Sequence, residues 1–412
     1  MKTSRFLSIG LALVAILMCL PAPSSAIPVF ARKYGFSCTM CHSNIPRLND
    51  FGARYRQNGY RLPGRENDEK TVLEGPVPLA MRTSGGYAYE SFSNVAGAEE
   101  VNQFMMNGLD ILSAGLLGSK IGYFAVYTPE IAASRHVEGQ TGNLEMASVV
   151  FSSIGSPWLN VRAGRFEPAY VAFSVKRQLS IAPYEIYEYG APGNVAISET
   201  QTGIECTGNG PGFGRGFRLG YAAGWLNGSE NNDPDDPPSD FYVRATTVLG
   251  AGEGQTAGQK IGVTGYIGRA RPDLALFPPE ESATFDAREQ FIRLGVDASL
   301  NFKMMNLAVQ YLFGRDDKRL WGISEDTDLD FSGGFAELSL MPRVDFVAFG
   351  RFDMVSTPKE IDRDITRITG GARYYFVDNL AFHLEYSRWT ENADSGDDPT
   401  QDSVAARLDF AF

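Results

Sequence analysis

Five residues near the start of the chain, Cys38-Thr39-Met40-Cys41-His42, are spaced for one particular chemistry. Two thiols three positions apart can each add to one vinyl group of the same porphyrin. A His directly after the second Cys then sits beneath the ring, where a neutral imidazole binds iron. This is the C-x-x-C-H pattern of covalent c-type haem attachment. The same thiols can also serve as a redox dithiol, a disulfide or half of a zinc site. Zinc needs further Cys or His nearby, and the next His is His136. A redox dithiol has no need of the adjacent imidazole. One covalent haem c on Cys38 and Cys41, with His42 as proximal iron ligand, is the reading the pattern favours.

The segments around the motif suit that chemistry. Residues 1–26 read as an export signal: Lys2 and Arg5, an apolar stretch from Phe6 to Leu20, then Ser24-Ser25-Ala26 as cleavage site. Covalent haem attachment requires export. The apolar stretch is too short for a spanning helix. Cys19 has no lipobox before it and leaves with the signal, so Cys38, Cys41 and Cys206 remain. After the motif, Asn49 can cap a helix with Phe51 and Tyr55 on one face, ending at Asn58-Gly59. Residues 27–75 are therefore expected to form a small haem-binding module.

Residues 76–412 carry a different pattern. Apolar and polar residues alternate in segments of about ten, separated by turn residues, which is the signature of a transmembrane β-barrel. In one segment Leu380, Phe382, Leu384 and Tyr386 oppose Ala381, His383, Glu385 and Ser387. Another, 343–355, is imperfect, because Val347 and Phe349 fall on the face of Arg351 and Asp353. Sixteen candidate strands can be counted, 199–207 being the weakest. Short connections near 118–120, 155–158, 303–304, 341–343 and 377–379 alternate with long ones at 93–102, 134–142, 169–198, 228–239, 271–288, 316–329, 356–363 and 392–401. Short periplasmic turns, long external loops and an even strand count describe an all-β, antiparallel outer-membrane barrel with a small helical plug. The last strand ends Val404, Ala406, Leu408, Phe410, Phe412, and a terminal Phe there resembles the assembly signal of such barrels.

Charge narrows the partners. The chain carries −12 formally, and −14 once Lys2 and Arg5 leave with the signal. An anionic surface is a poor nucleic-acid binder, because nothing neutralises phosphates. The loops at 228–240 (Glu230, Asp233, Asp235, Asp236, Asp240) and 391–402 (Glu391, Asp394, Asp397, Asp398, Asp402) hold no base. They either keep the surface solvated or gather cations at the outer mouth. Asp326-x-Asp328-x-Asp330 resembles the start of a calcium loop, but Phe331 stands where a Gly is needed. The run 208–216 lacks nucleotide-loop spacing and is a turn.

An electron-transfer haem usually takes a second His or a Met. His383 shares the lumen parity of Glu385 and Ser387 and lies near the periplasmic mouth, so it is expected as the distal ligand. Its alternative role is that of a polar lumen residue. Met81, Met105, Met106 and a five-coordinate iron compete. His136 falls in an external loop. Cys206 shares parity with Ile204, on the lipid side, and has no disulfide partner.

Residues 27–62 resemble the N-terminal module of the fused outer-membrane monohaem cytochrome–porins, whose members include those of iron-oxidising bacteria. The match is carried by Pro28-x-Phe30-Ala31-Arg32, Gly35, Cys38-x-x-Cys41-His42, Pro46-x-Leu48, Phe51-Gly52 and Asn58-Gly59-Tyr60. It departs at Lys33-Tyr34 and Asn49-Asp50. The resemblance implies an electron-transfer protein that exchanges electrons between an extracellular donor or acceptor (iron or another metal ion) and a periplasmic cytochrome. Its haem module would lie on the periplasmic side or inside the barrel. The expectation from a different class is a diffusion porin whose haem segment is a plug or sensor.

Overall fold

The computed structural model describes residues 34, 36–62, 71–72, 74, 78–95, 97–129, 142–156, 158–192, 197–209, 216–228, 236–250, 258–277, 287–324, 327–358, 360–361, 363–377, 379–392 and 398–411. The signal region, His136, Asp326 and Phe412 lie outside them.

A helix, α1 (Asp50–Gln57), precedes the first strand. The wall then runs β1 (Leu79–Ser93), β2 (Val101–Gly118), β3 (Ile121–Thr128), β4 (Asn143–Phe151), β5 (Asn160–Phe166). A short helix, α2 (Glu185–Glu188), interrupts the chain before β6 (Gln201–Asn209), β7 (Phe217–Leu226) and β8 (Asp240–Leu249). Next come β9 (Gln259–Ala270), β10 (Glu289–Phe302), β11 (Met305–Asp317) and β12 (Asp328–Arg343). The last four are β13 (Phe346–Ser356), β14 (Asp364–Val377), β15 (Leu380–Asn392) and β16 (Thr400–Ala411).

Each strand pairs antiparallel with its neighbours, and β16 returns to β1 to close the barrel. Closure pairs the backbone groups along the wall and removes the edge, a condition that lipid imposes on any spanning sheet. No helix among the described residues is long and apolar enough to cross a membrane.

The alternation sorts side chains as the sequence predicts. On β15, Ala381, His383, Glu385 and Ser387 are buried in the lumen. Outside, Val243, Leu294, Val296, Ile368 and Leu408 are exposed to the surroundings, the arrangement lipid requires. Trp225 and Phe241 stack at 5.9 Å on the outer face near the long-loop end, where an aromatic girdle belongs. Val347 and Phe349, the two apolar residues on a charged face, pack inside against Leu179, Met341 and Tyr375. They break the alternation because a loop covers them.

That loop, between β5 and β6, was expected outside. Instead it folds into the lumen, burying Tyr170, Leu179, Tyr184, Ile186 and Tyr187 almost completely. Its five aromatics from Tyr170 to Tyr189 are too apolar for water, and the lumen offers them Phe331 and Phe335 of β12. The wall fastens the loop by its backbone. Glu385 accepts from the amides of Ile181 and Ala182 at 2.6 and 2.8 Å. Arg351 donates to the Ala182 carbonyl at 2.9 Å, and to Ser180 and Pro183.

Candidate functional site

The segment 36–62 lies inside the barrel at its short-turn end. Asn44 donates to Ser339 of β12 at 2.6 Å, and Arg47 to Asn306 of β11 at 3.0 Å. Asp50 receives both terminal nitrogens of Arg218 of β7. Arg61 donates to Ser119 and Ser153, in the turns after β2 and β4. The Tyr375 hydroxyl of β14 reaches the Ile45 carbonyl. Contacts on so many sides make the segment a plug seated in the wall.

Within it the motif is shaped by its own backbone. Cys38–Met40 forms a single 3-10 turn, and the Cys38 carbonyl accepts from the amides of Cys41 and His42 at 3.2 and 3.0 Å. Asn49 acts twice. Its side-chain oxygen accepts from the Gly52 amide at 2.9 Å, capping α1, and its amide nitrogen donates to the Thr39 and Met40 carbonyls. Capping locks the helix to the motif. Gly52 permits the close approach, since a Cβ there would meet the Cys41 carbonyl oxygen at 2.2 Å. The apolar face of α1, Phe51 and Tyr55, joins Tyr34, Phe36, Met40, Tyr60, Leu62 and Phe124 around Cys41.

Cys38 and Cys41 form no disulfide and are half-buried. Burial, with Cys38 adjacent, pushes the Cys41 thiol up to about 11, so it stays protonated at neutral pH. The His42 Nδ1 faces the Pro46 and Arg47 carbonyls at 2.9 and 3.1 Å. Donation from Nδ1 fixes the tautomer and leaves Nε2 with its lone pair, the form a metal ligand needs. Burial lowers the His42 pKa, against the upward pull of those two carbonyls, and favours the neutral ring. The donor set fits a covalent haem: two thiols and an oriented, neutral imidazole.

Other candidates fall elsewhere. His383 is fully buried in the lumen on β15. Its Nδ1 accepts from the Arg373 Nε at 3.1 Å, and its Nε2 faces Glu385 at 3.2 Å. Both ring nitrogens are thus engaged by the wall, and no contact joins His383 to His42 among the described residues. Met105 lines the lumen beside the inward loop, whereas Met106 faces outward and is exposed. Cys206 lies on the outward face with Ile204.

Glu230, Asp233, Asp235, Asp394 and Asp397 lie outside the described residues, and three of the other loop acids have internal partners. Asp236 accepts from Arg271 at 3.1 and 3.2 Å, and buried Asp240 from Tyr266 at 2.5 Å. Asp402 accepts from Tyr386 at 2.6 Å. Asp328 and Asp330 both lie against Arg315, so the calcium-like segment spends two carboxylates on a cation of its own wall.

Sequence reasoning missed the bridge between plug and loop. Arg47 forms an ion pair with Glu337 of β12 at 2.7 Å and donates to Tyr184 of the loop at 3.0 Å. Glu167, just past β5, receives Arg56 of the plug at 3.0 Å and Arg177 of the loop at 2.7 Å. Burial works to raise the Glu167 carboxyl, but Arg177 and Arg56 outweigh it and hold it at about 2. A buried carboxylate with two arginines from separate segments is a joint.

The closed sixteen-stranded wall with a loop folded into its lumen is a β-barrel of porin architecture. The anion-selective porin from Comamonas acidovorans superposes with a TM-score of 0.58 at 14% identity, over 82% of this chain and 99% of that one. The outer membrane channel DcaP of Acinetobacter baumannii gives 0.56 at 10% identity, over 82% and 97%. Pseudomonas putida OprB gives 0.56 at 10% identity, over 92% and 100%. No family model matches the sequence, and no curated protein does.

Proposed function

We propose that this chain is a plugged outer-membrane barrel that carries one covalent haem c on Cys38, Cys41 and His42 and exchanges single electrons between an extracellular donor or acceptor and a periplasmic cytochrome. The observation that carries the reading is the seating of the motif: a complete C-x-x-C-H inside the barrel, its imidazole turned by two backbone carbonyls so that Nε2 is left for iron. A haem bound there supplies a one-electron iron couple. The rest falls to the chain. His42 presents its ligand nitrogen, the aromatic cluster around Cys41 keeps water away, and the plug and inward loop narrow the lumen. The apolar band of such a barrel is about 25 Å tall, so both redox partners must approach closely. External metal ions, iron among them, fit the anionic surface.

A second reading, a diffusion porin whose N-terminal segment is a plug or sensor, is favoured by the porin architecture of the structural neighbours. A gap between the inward loop and the wall, lined by Glu90, Arg367, Glu385 and Arg407, also supports it. Planar-bilayer conductance of the purified chain separates the two. The electron-transfer reading expects conductance far below that of an open sixteen-stranded porin, rising when residues 27–62 are deleted. Open-channel conductance in the intact protein would favour the porin.

A further inference from the structure

A second feature of the lumen lies outside the haem motif. Between α1 and the wall of β5 to β10 is a cavity of about 190 Å³, beginning at Ser43 and lined by seven basic side chains and four acidic ones. The acids are committed. Glu205 pairs with Arg162, Asp297 with Arg244, Glu167 with Arg56 and Arg177, and Asp50 with Arg54 and Arg218. Lys260 of β9 is left over. It points into the lumen and makes no hydrogen bond or ion pair among the described residues, although Asp297 and Asp50 lie close enough to act on it. A positive surplus within low-dielectric walls attracts a counter-anion more strongly than the same charges would in water. The volume has room for several waters, and so for one small oxyanion.

We propose that this cavity binds a carboxylate or phosphate oxyanion, with Lys260 as its principal counter-charge. Two sources offer that chemistry: a free anion entering the lumen, or the carboxylate edge of a haem held at the adjacent motif. Only the second source depends on the haem reading.

The test uses the full mature chain in detergent, with Lys260→Met and the charge-keeping Lys260→Arg, each checked for heat-stable barrel mobility on a gel. Inorganic phosphate is titrated by calorimetry, and the haem midpoint potential is followed against pH by spectro-electrochemistry. Saturable phosphate binding in wild type, weakened at least tenfold in Lys260→Met and kept in Lys260→Arg, assigns the free anion. A fall in midpoint potential in Lys260→Met but not Lys260→Arg assigns the haem carboxylate. If neither readout moves, the proposal is overturned. A chain without covalent haem would sink the electron-transfer reading while the phosphate titration still decided this one.

Discussion

Arg47 of the plug and Glu337 of β12 meet at 2.7 Å, and the Glu337 side chain is wholly buried. Arg47 also donates to Tyr184 of the inward loop, so one guanidinium ties plug, wall and loop. Its ring contact with Phe173, at 5.2 Å, fixes it further. Removing one partner of a buried pair costs up to about 3–5 kcal/mol, less here because Arg351 stays 4.0 Å from Glu337. Arg47→Ala should therefore loosen the plug, measured as faster proteolysis of residues 27–62 in the folded barrel. Glu337→Gln in the same chain should recover part of the loss. Equal proteolysis of Arg47→Ala and wild type would mean the plug is held elsewhere.

Glu167 makes the docking acid-sensitive. Its carboxyl sits near 2 in the folded chain against an ordinary 4.5. A lowered folded-state pKa stabilises above the unfolded value and is lost as pH falls from about 4.5 toward 2. The contribution at neutral pH is on the order of 3 kcal/mol. Stability should fall across that window in wild type and be flatter in Glu167→Gln. Identical acid profiles would show that Glu167 is not the sensor.

His383 belongs to the wall network with Arg373, Glu385 and Asp409. His383→Ala should leave the low-temperature EPR signal of the haem unchanged. It should destabilise the barrel by about 1–3 kcal/mol, since buried polar partners lose their bonds. A shift from low spin to high spin would instead make His383 the distal ligand.

How much of this could be read from residues alone depends on the length scale of each cause. β15 was legible because a period of two reports which face meets lipid, whatever the rest of the molecule does. The capped helix after the motif was legible because Asn49, Phe51, Tyr55 and Gly59 act within ten residues. The inward loop was not read, because its aromatics answer to Phe331 and Phe335, far away in sequence. The same distance hid the reason for Val347 and Phe349. Parity alone placed His383 in the lumen; Arg373 and Glu385, its near neighbours in the wall, decide what its nitrogens do there.

The central claim is that the chain carries a haem on its own cysteines. Intact-mass measurement of the mature protein, after denaturation that strips non-covalent cofactors, tests it most directly. The expected result is a single species heavier than the polypeptide by one haem, reduced to the bare polypeptide mass in Cys38→Ala/Cys41→Ala. A wild-type chain at the bare polypeptide mass, expressed where the haem-attachment machinery is active, would contradict it and leave the plugged porin as the reading.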